Sequence, residues 1–316
     1  MEVLRACILR RRVIVVLAAL LSALVASSPS AAAAEELAGD ADAAGRLRAF
    51  IEDFLPKQMV RRRVPGAAFV FVRDGRVVMS RGFGYADVAR GEKFDPDTTV
   101  FPVGSLSKPV TATAVMQLWE RGAIAMDADV NRYLAPPLRI APLQRPVTMH
   151  DLLTHTAGFD PVHFGVAAST PDGVLPLHAY LASHQPARLP PGQVIQYSNF
   201  GYALAGHVVE RAANQPFDRY MAEHVFRPLG MARSSFSVAA QATAAQGYDW
   251  DGERQCYVPQ VRYFMHETPA SGMTSTAADM GKFLLAHLEV GRGALRPQTL
   301  EVMHRAQFHH HPALPG

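Results

Sequence analysis

The stretch FPVGSLSKPVTATAVMQLWERG, Phe101–Gly122, places Ser105 and Lys108 three residues apart at the head of an apolar run with helical spacing. Proline is tolerated in the first turn of a helix, where its missing N–H would have no partner anyway. Pro109 therefore puts the start of the helix near Leu106, and Gly104 eases the chain into it. Ser105 then lies at the positive end of the helix, where unpaired N–H groups favour a developing oxyanion. Lys108 follows one turn later on the same face. Burial disfavours the charged form of a lysine, so one held against a hydroxyl in a poorly solvated place can act as its base. The same four residues would also fit an ordinary capping serine with a solvated lysine. The chain has only four lysines, and Lys57, Lys93 and Lys282 have no serine three residues before them.

A partner stands further along, in PPGQVIQYSNFGYALAGHVVE (190–210). Tyr197-Ser198-Asn199 follows a Pro-Pro-Gly turn and a short strand-like run, and directly precedes an apolar-periodic helix. It is the single Tyr-x-Asn among nine tyrosines. A phenol beside a Ser–Lys pair can relay a leaving-group proton, and an amide can hold both the lysine and a substrate carbonyl. The plainer reading is a tyrosine packed on a helix that Asn199 caps.

Around these segments the order is helix, hairpin, then mostly helices. GRLRAFIEDFLPKQMV (45–60) has helical spacing, with Pro56 near its expected end. AAFVFV and VVMSRGFGY are strand-like runs, and Asp74-Gly75 between them is a strong hairpin signal. Thr148 with Asp151, and Thr276 with Asp279, have capping-box spacing before apolar runs. Residues 163–191 read as loop with one short helix at LHAYLASH. Two strands alone do not make a stable sheet, so the fold needs further strands that the downstream pattern does not announce.

The 316 residues suffice for one large domain with a real core. Residues 1–34 read as a leader: a basic start (MEVLRACILRRR), a short apolar run (VIVVLAALLSALVA) and small-residue cleavage sites near Ala34. The expectation is a secreted or periplasmic protein, with an uncleaved membrane anchor as the alternative. The leader carries four arginines and one glutamate, so the rest has 27 residues of each sign and no net charge. That balance argues against nucleic acid or another polyanion as partner. Cys7 falls in the leader, which leaves Cys256 unable to form an internal disulfide; it is expected as a small buried apolar residue. No cofactor and no metal are expected. His309-His310-His311 are consecutive and point in different directions, and His266-Glu267 runs into Thr-Pro rather than a zinc motif.

Five segments stand in the order and spacing of one family: PGAAFVFVRDGRVVMSRGFGYAD, the Phe101 stretch continued to Val130, MHDLLTHTAGF, PPGQVIQYSNFGYALAGHVVE and PASGMTSTAADMGKF. Over residues 46–305 the sequence resembles the serine β-lactamase-related hydrolases, which include class C β-lactamases, low-molecular-mass penicillin-binding proteins, D-amino-acid peptidases and esterases. The resemblance implies an α/β (α+β) fold of the β-lactamase type: an antiparallel sheet flanked by helices beside an all-helical region, over residues 35–316. It implies Ser105 as acyl-forming nucleophile, Lys108 as its base partner, Tyr197 and Asn199 as a second motif, and LLTHTAGF as structural support. Amide, peptide, β-lactam and ester substrates all fit; the oligomeric state stays open. The family's third motif, Lys-Thr-Gly or His-x-Gly after PASGM, does not appear. His163-Phe164-Gly165 precedes Tyr197 and is in the wrong place in chain order. The expectation is therefore a chain lacking its closing strands and second oxyanion donor, and weak in turnover. A non-catalytic acyl-trapping protein, or an inactive fragment, is the rival reading.

Overall fold

Asp74 and Gly75 both take positive φ, 48° and 74°, and close the hairpin that the sequence marks there. In this computed structural model, which describes residues 43–162, 164–288 and 293–308, the chain forms two compact units, Met1–Leu55 and Pro56–Gly316. Of the first, the described residues are the start of helix α1 (Ala43–Arg62), where Phe50 and Phe54 stack with ring centroids 5.2 Å apart. Pro56, expected near the end of this helix, lies inside it, and the helix runs on to Arg62. The leader, His163 and the three consecutive histidines lie outside the described residues.

In the second unit β1 (Gly66–Arg73) and β2 (Arg76–Asp87) pair antiparallel, with an irregularity at Phe71/Val72, and β3 (Glu92–Lys93) adds to the end of β2. Among the described residues β1 is one edge of this sheet and the short β3 the other. More strands form than the sequence pattern suggests. β4 (Phe101–Pro102) pairs with Thr274–Ser275, Ala167–Ala168 pairs with Phe264–Met265, and Tyr248–Asp251 pairs with Cys256–Pro259 in a second hairpin. The first two are only two residues long, too short to leave a period in the sequence. In the second hairpin Cys256 is exposed, not buried as expected.

Helix α2 (Ser107–Glu120) is buried on nearly every side, from Ser107 through Leu118. The helix Asn199–Ala213 is likewise buried from Phe200 to Val209. Helices apolar all round belong in a core, and these two pack together at its centre with Val110, Val115, Leu204 and Val208 fully enclosed. The helix Ala277–Leu288 lies against β1 and β2. The expected arrangement, a sheet flanked by helices beside a helical region, is present.

Candidate active site

The Phe101 stretch folds as Pro109 dictates. Gly104 takes φ 56°, a conformation open chiefly to glycine, and begins a tight 3₁₀ turn, Gly104–Leu106, that leads into α2. Pro109 falls in the first turn of α2, where its lack of an N–H costs nothing. Buried Ser107 fastens this turn: its hydroxyl donates to Gly104 O at 2.6 Å and accepts from Met273 N at 3.1 Å. Ser105 is left exposed on the turn.

Lys108 is buried, and its Nζ donates to three oxygens: Ser105 Oγ at 3.1 Å, Asn199 Oδ1 at 2.8 Å and Ala270 O at 2.9 Å. Burial pulls its pKa down to about 8 against the opposing charge of Glu267. The Tyr197 hydroxyl donates to Ser105 Oγ at 2.6 Å. Burial raises the pKa of this phenol, Ser105 pulls it back and Glu267 adds to the rise. The amine is thus the easier of the two groups to deprotonate, and the phenol keeps its proton. Lys108 Nζ also sits 4.6 Å from the centre of the Tyr197 ring.

Asn199 is the first residue of its helix but not its cap. Ser198 caps, its hydroxyl accepting from Gly201 N at 3.2 Å, which leaves the Asn199 amide free for the lysine. The run before Tyr197 is not a strand; Gln196 N donates to His155 O at 2.7 Å, and Ser198 N donates to His155 Nδ1 at 3.1 Å. His155 holds φ 59° and lays its ring 4.5 Å from that of Tyr197. Burial and the nearby Lys108 lower its pKa to about 4, so it is neutral. Thr148 and Asp151 form the full capping box in front of it, and Arg145 grips Asp151 with two bonds of 2.6 and 2.8 Å. Burial pushes the Asp151 pKa up, but Arg145 and Thr148 outweigh it and hold the carboxylate low. At Thr276 the box is half formed: the Thr276 hydroxyl accepts from Asp279 N at 3.2 Å, while Asp279 Oδ2 turns to Arg233 N and Ser234 Oγ.

The four residues singled out in the sequence thus meet in one cluster. Two more participants carry no such signal. Ala270 contributes a backbone oxygen, which no side-chain pattern reveals. Glu267, wholly buried, is visible in the sequence only as the acid of a failed metal motif. Among the described residues no group of three or more His, Cys, Asp or Glu side chains could hold a metal, and no helix is long and apolar enough to cross a membrane.

An exposed hydroxyl held between a phenol and a buried amine can deliver an oxygen nucleophile and move its proton. The Beta-lactamase family model matches residues 47–315, and the chain belongs to that family. PbpX of Bacillus subtilis (strain 168), named as a penicillin-binding protein, is 31% identical over 223 residues, 69% of this chain and 53% of the relative. Esterase EstB of Burkholderia gladioli is 33% identical over 225 residues, 66% of this chain and 56% of the relative. The octameric penicillin-binding protein homologue from Pyrococcus abyssi superposes with a TM-score of 0.71 at 30% identity, covering 81% of this chain and 60% of that one. The chain spans about half the length of the curated relatives it matches.

Proposed function

We propose that this is an exported serine hydrolase that works through an acyl-enzyme on Ser105. The observation that carries the reading is the double hold on one exposed oxygen: Ser105 Oγ receives Tyr197 Oη at 2.6 Å and Lys108 Nζ at 3.1 Å. In its neutral form Lys108 takes the Ser105 proton as Oγ attacks the acyl carbon. Tyr197, protonated, passes its hydrogen to the leaving group and takes a replacement from the Lys108 ammonium. Asn199 fixes the amine through its Oδ1. Water then cleaves the ester, with Lys108 and Tyr197 moving the proton back. The substrate is an amide, a D-Ala-type peptide, a β-lactam or an ester; the names of the relatives support both penicillin binding and ester cleavage.

Incubation with a penicillin or an activated ester should raise the intact mass by one acyl group, and Ser105→Ala should show no adduct. Labelling that survives Ser105→Ala overturns the assignment. A stable adduct without turnover supports the acyl-trapping reading instead. Export rests on residues 1–34. Protein made in a secretion-competent bacterium should begin near Glu35, and an intact Met1 on membrane-bound material would replace secretion with anchoring.

A further inference from the structure

Glu267 is wholly buried, yet neither of its carboxylate oxygens makes a hydrogen bond of good geometry, although Tyr180 and Asn199 come close enough to pull on them. A carboxylate so weakly held out of water is costly, and such a group calls for a reason. Its backbone is tied to the site. Glu267 O accepts from Ala270 N at 2.9 Å and Ser271 N at 3.2 Å, opening the one-turn helix Thr268–Ser271 whose Ala270 O receives Lys108. Its surroundings are asymmetric in charge. Lys108 faces it from α2 and Asn199 from the start of the helix Asn199–Ala213. Tyr180 faces it from the helix Leu177–Ser183, close enough to pull on the carboxylate without a bond of good geometry. Tyr197 lies within its field. The Tyr180 ring stacks against His184 at 4.7 Å and His266 at 5.2 Å. His266 Nδ1 accepts from Leu175 N, and its burial favours the neutral ring. Tyr180 and Tyr197 are both held protonated. Among the described residues this leaves Lys108 as the cation that Glu267 answers.

We propose that Glu267 is a positioning residue for the proton on Lys108, a sealed counter-charge that holds the ammonium formed when Ser105 gives up its hydrogen. This rests on the reading of Ser105 and Lys108 as nucleophile and base. In the step, the Ser105 O–H bond breaks and its proton joins the Nζ lone pair, while the freed Oγ pair forms the bond to the acyl carbon. Nζ becomes an ammonium whose donors meet Asn199 Oδ1 and Ala270 O. It returns the proton by way of the Tyr197 hydroxyl, which gives its own hydrogen to the departing group and takes the one from Nζ in its place. Glu267 exchanges no atom; it supplies the negative charge that makes the ammonium tolerable out of water. Burial raises the pKa of Glu267 to about 7 against Tyr180, Lys108 and Asn199. The carboxylate is therefore mostly ionised by the pH, about 8, at which Lys108 is half deprotonated.

Lysine labelled with carbon-13 at Cε reads this directly, because the chain has only four lysines. The Lys108 resonance is the one absent from Lys108→Ala. In the unaltered chain it should titrate with a midpoint near 8 and show a smaller inflection near 7 as Glu267 ionises. In Glu267→Gln the midpoint should fall by about 1 unit, the size expected for losing a nearby opposite charge, and the inflection should vanish. Glu267→Asp, which keeps the charge, should restore the higher midpoint. The acidic limb of ester hydrolysis should move with the resonance, a shift that a merely structural residue would not cause. An unmoved midpoint in folded Glu267→Gln overturns the proposal. Acyl labelling run alongside separates the two ideas. A Ser105 that never labels overturns the nucleophile and this proposal together, whereas normal labelling with an unmoved Lys108 overturns this proposal alone.

Discussion

The hydroxyl of Tyr197 donates to Ser105 Oγ at 2.6 Å across 92 residues of sequence, and the rest of the cluster is arranged to hold that contact. The phenol is kept protonated by burial, so it acts as a donor rather than as a base. Tyr197→Phe should leave the fold and Lys108 in place and slow acyl transfer about 10²-fold, the usual value of a positioned proton-transfer group. Pre-steady-state acylation by an activated ester measures it. A rate within a factor of two of the unaltered protein would make Tyr197 a packing residue.

The pH profile follows from which form of Lys108 works. A pKa lowered to about 8 leaves roughly a tenth of the molecules with a neutral amine at pH 7. Only the neutral amine can accept the Ser105 proton, so kcat/KM should climb as pH rises and level off above about 8. Because the Tyr197 pKa is raised, no alkaline loss from the phenol should follow below about pH 10. Lys108→Ala should abolish the acidic limb and lower the rate about 10²-fold or more. A limb that persists in Lys108→Ala belongs to another group.

His155 illustrates how support differs from catalysis. Its neutral ring accepts the Ser198 N–H and lies against Tyr197, so it fixes the turn that presents both Tyr197 and Asn199. His155→Ala leaves the Ser198 N–H without a partner, a loss of about 1–3 kcal/mol where the group stays buried. The expected outcome is a lower thermal midpoint and slower acylation, with the acidic limb near 8 unmoved, because a neutral ring exerts no charge on Lys108. Loss of the limb itself would give His155 a chemical role.

Much of the fold and site can be read from the sequence because backbone restrictions write directly into it. Pro109 fixes the start of α2, Asp74-Gly75 closes the hairpin, and Ser-x-x-Lys with Tyr-x-Asn names the residues that meet. What cannot be read has no local pattern. The two-residue strand Thr274–Ser275 exists only because Phe101–Pro102 lies beside it. Ala270 acts through its carbonyl, which every residue has. Ser198 rather than Asn199 caps the helix, a choice made by tertiary contact with Lys108. Cys256 lies exposed in a hairpin of two strands only four residues long, Tyr248–Asp251 and Cys256–Pro259, too short to leave a clear period.

The Arg145–Asp151 pair tests stability apart from chemistry. Asp151 is buried, accepts from the Thr148 backbone and hydroxyl, and meets both ends of the guanidinium, while Arg145 itself remains partly open to solvent. Asp151→Ala removes the capping box and strands the arginine. Caps are worth about 1 kcal/mol, and a half-exposed pair adds less than the about 3–5 kcal/mol of a fully buried one. A net loss of about 2–3 kcal/mol in chemical denaturation is expected, with residual folded protein still acylated. The Asp151 pKa is held low, so its stabilisation is present above the unfolded value and is lost as pH falls through the folded one. The gap between the two proteins should therefore close in strong acid.

The closest approach behind the site gives the sharpest structural test. A Cβ on Gly206 would sit 2.3 Å from Pro269 Cγ, far inside contact distance, and the obstacle is a proline ring with little freedom to yield. Pro269 is tied in turn: its carbonyl accepts from Thr111 Oγ1 at 2.7 Å, and the next residue supplies the oxygen that receives Lys108. Glu267 opens the same one-turn helix. Gly206→Ala must therefore displace the Thr268–Ser271 turn away from α2 and the helix Asn199–Ala213 together. Overpacking of this kind costs about 1–3 kcal/mol, so the protein should still fold, with a lower thermal midpoint. The effect on chemistry should be larger than that on stability, because Lys108 loses the Ala270 carbonyl and part of the field of Glu267 at once. Acylation of Ser105 should slow about tenfold or more, in line with the sensitivity of positioned groups to small displacements, while Ser105, Lys108 and Tyr197 remain unaltered. A Gly206→Ala protein that melts lower but acylates at the original rate would show that the turn can move without disturbing the base, and that the Lys108–Ala270 bond is dispensable.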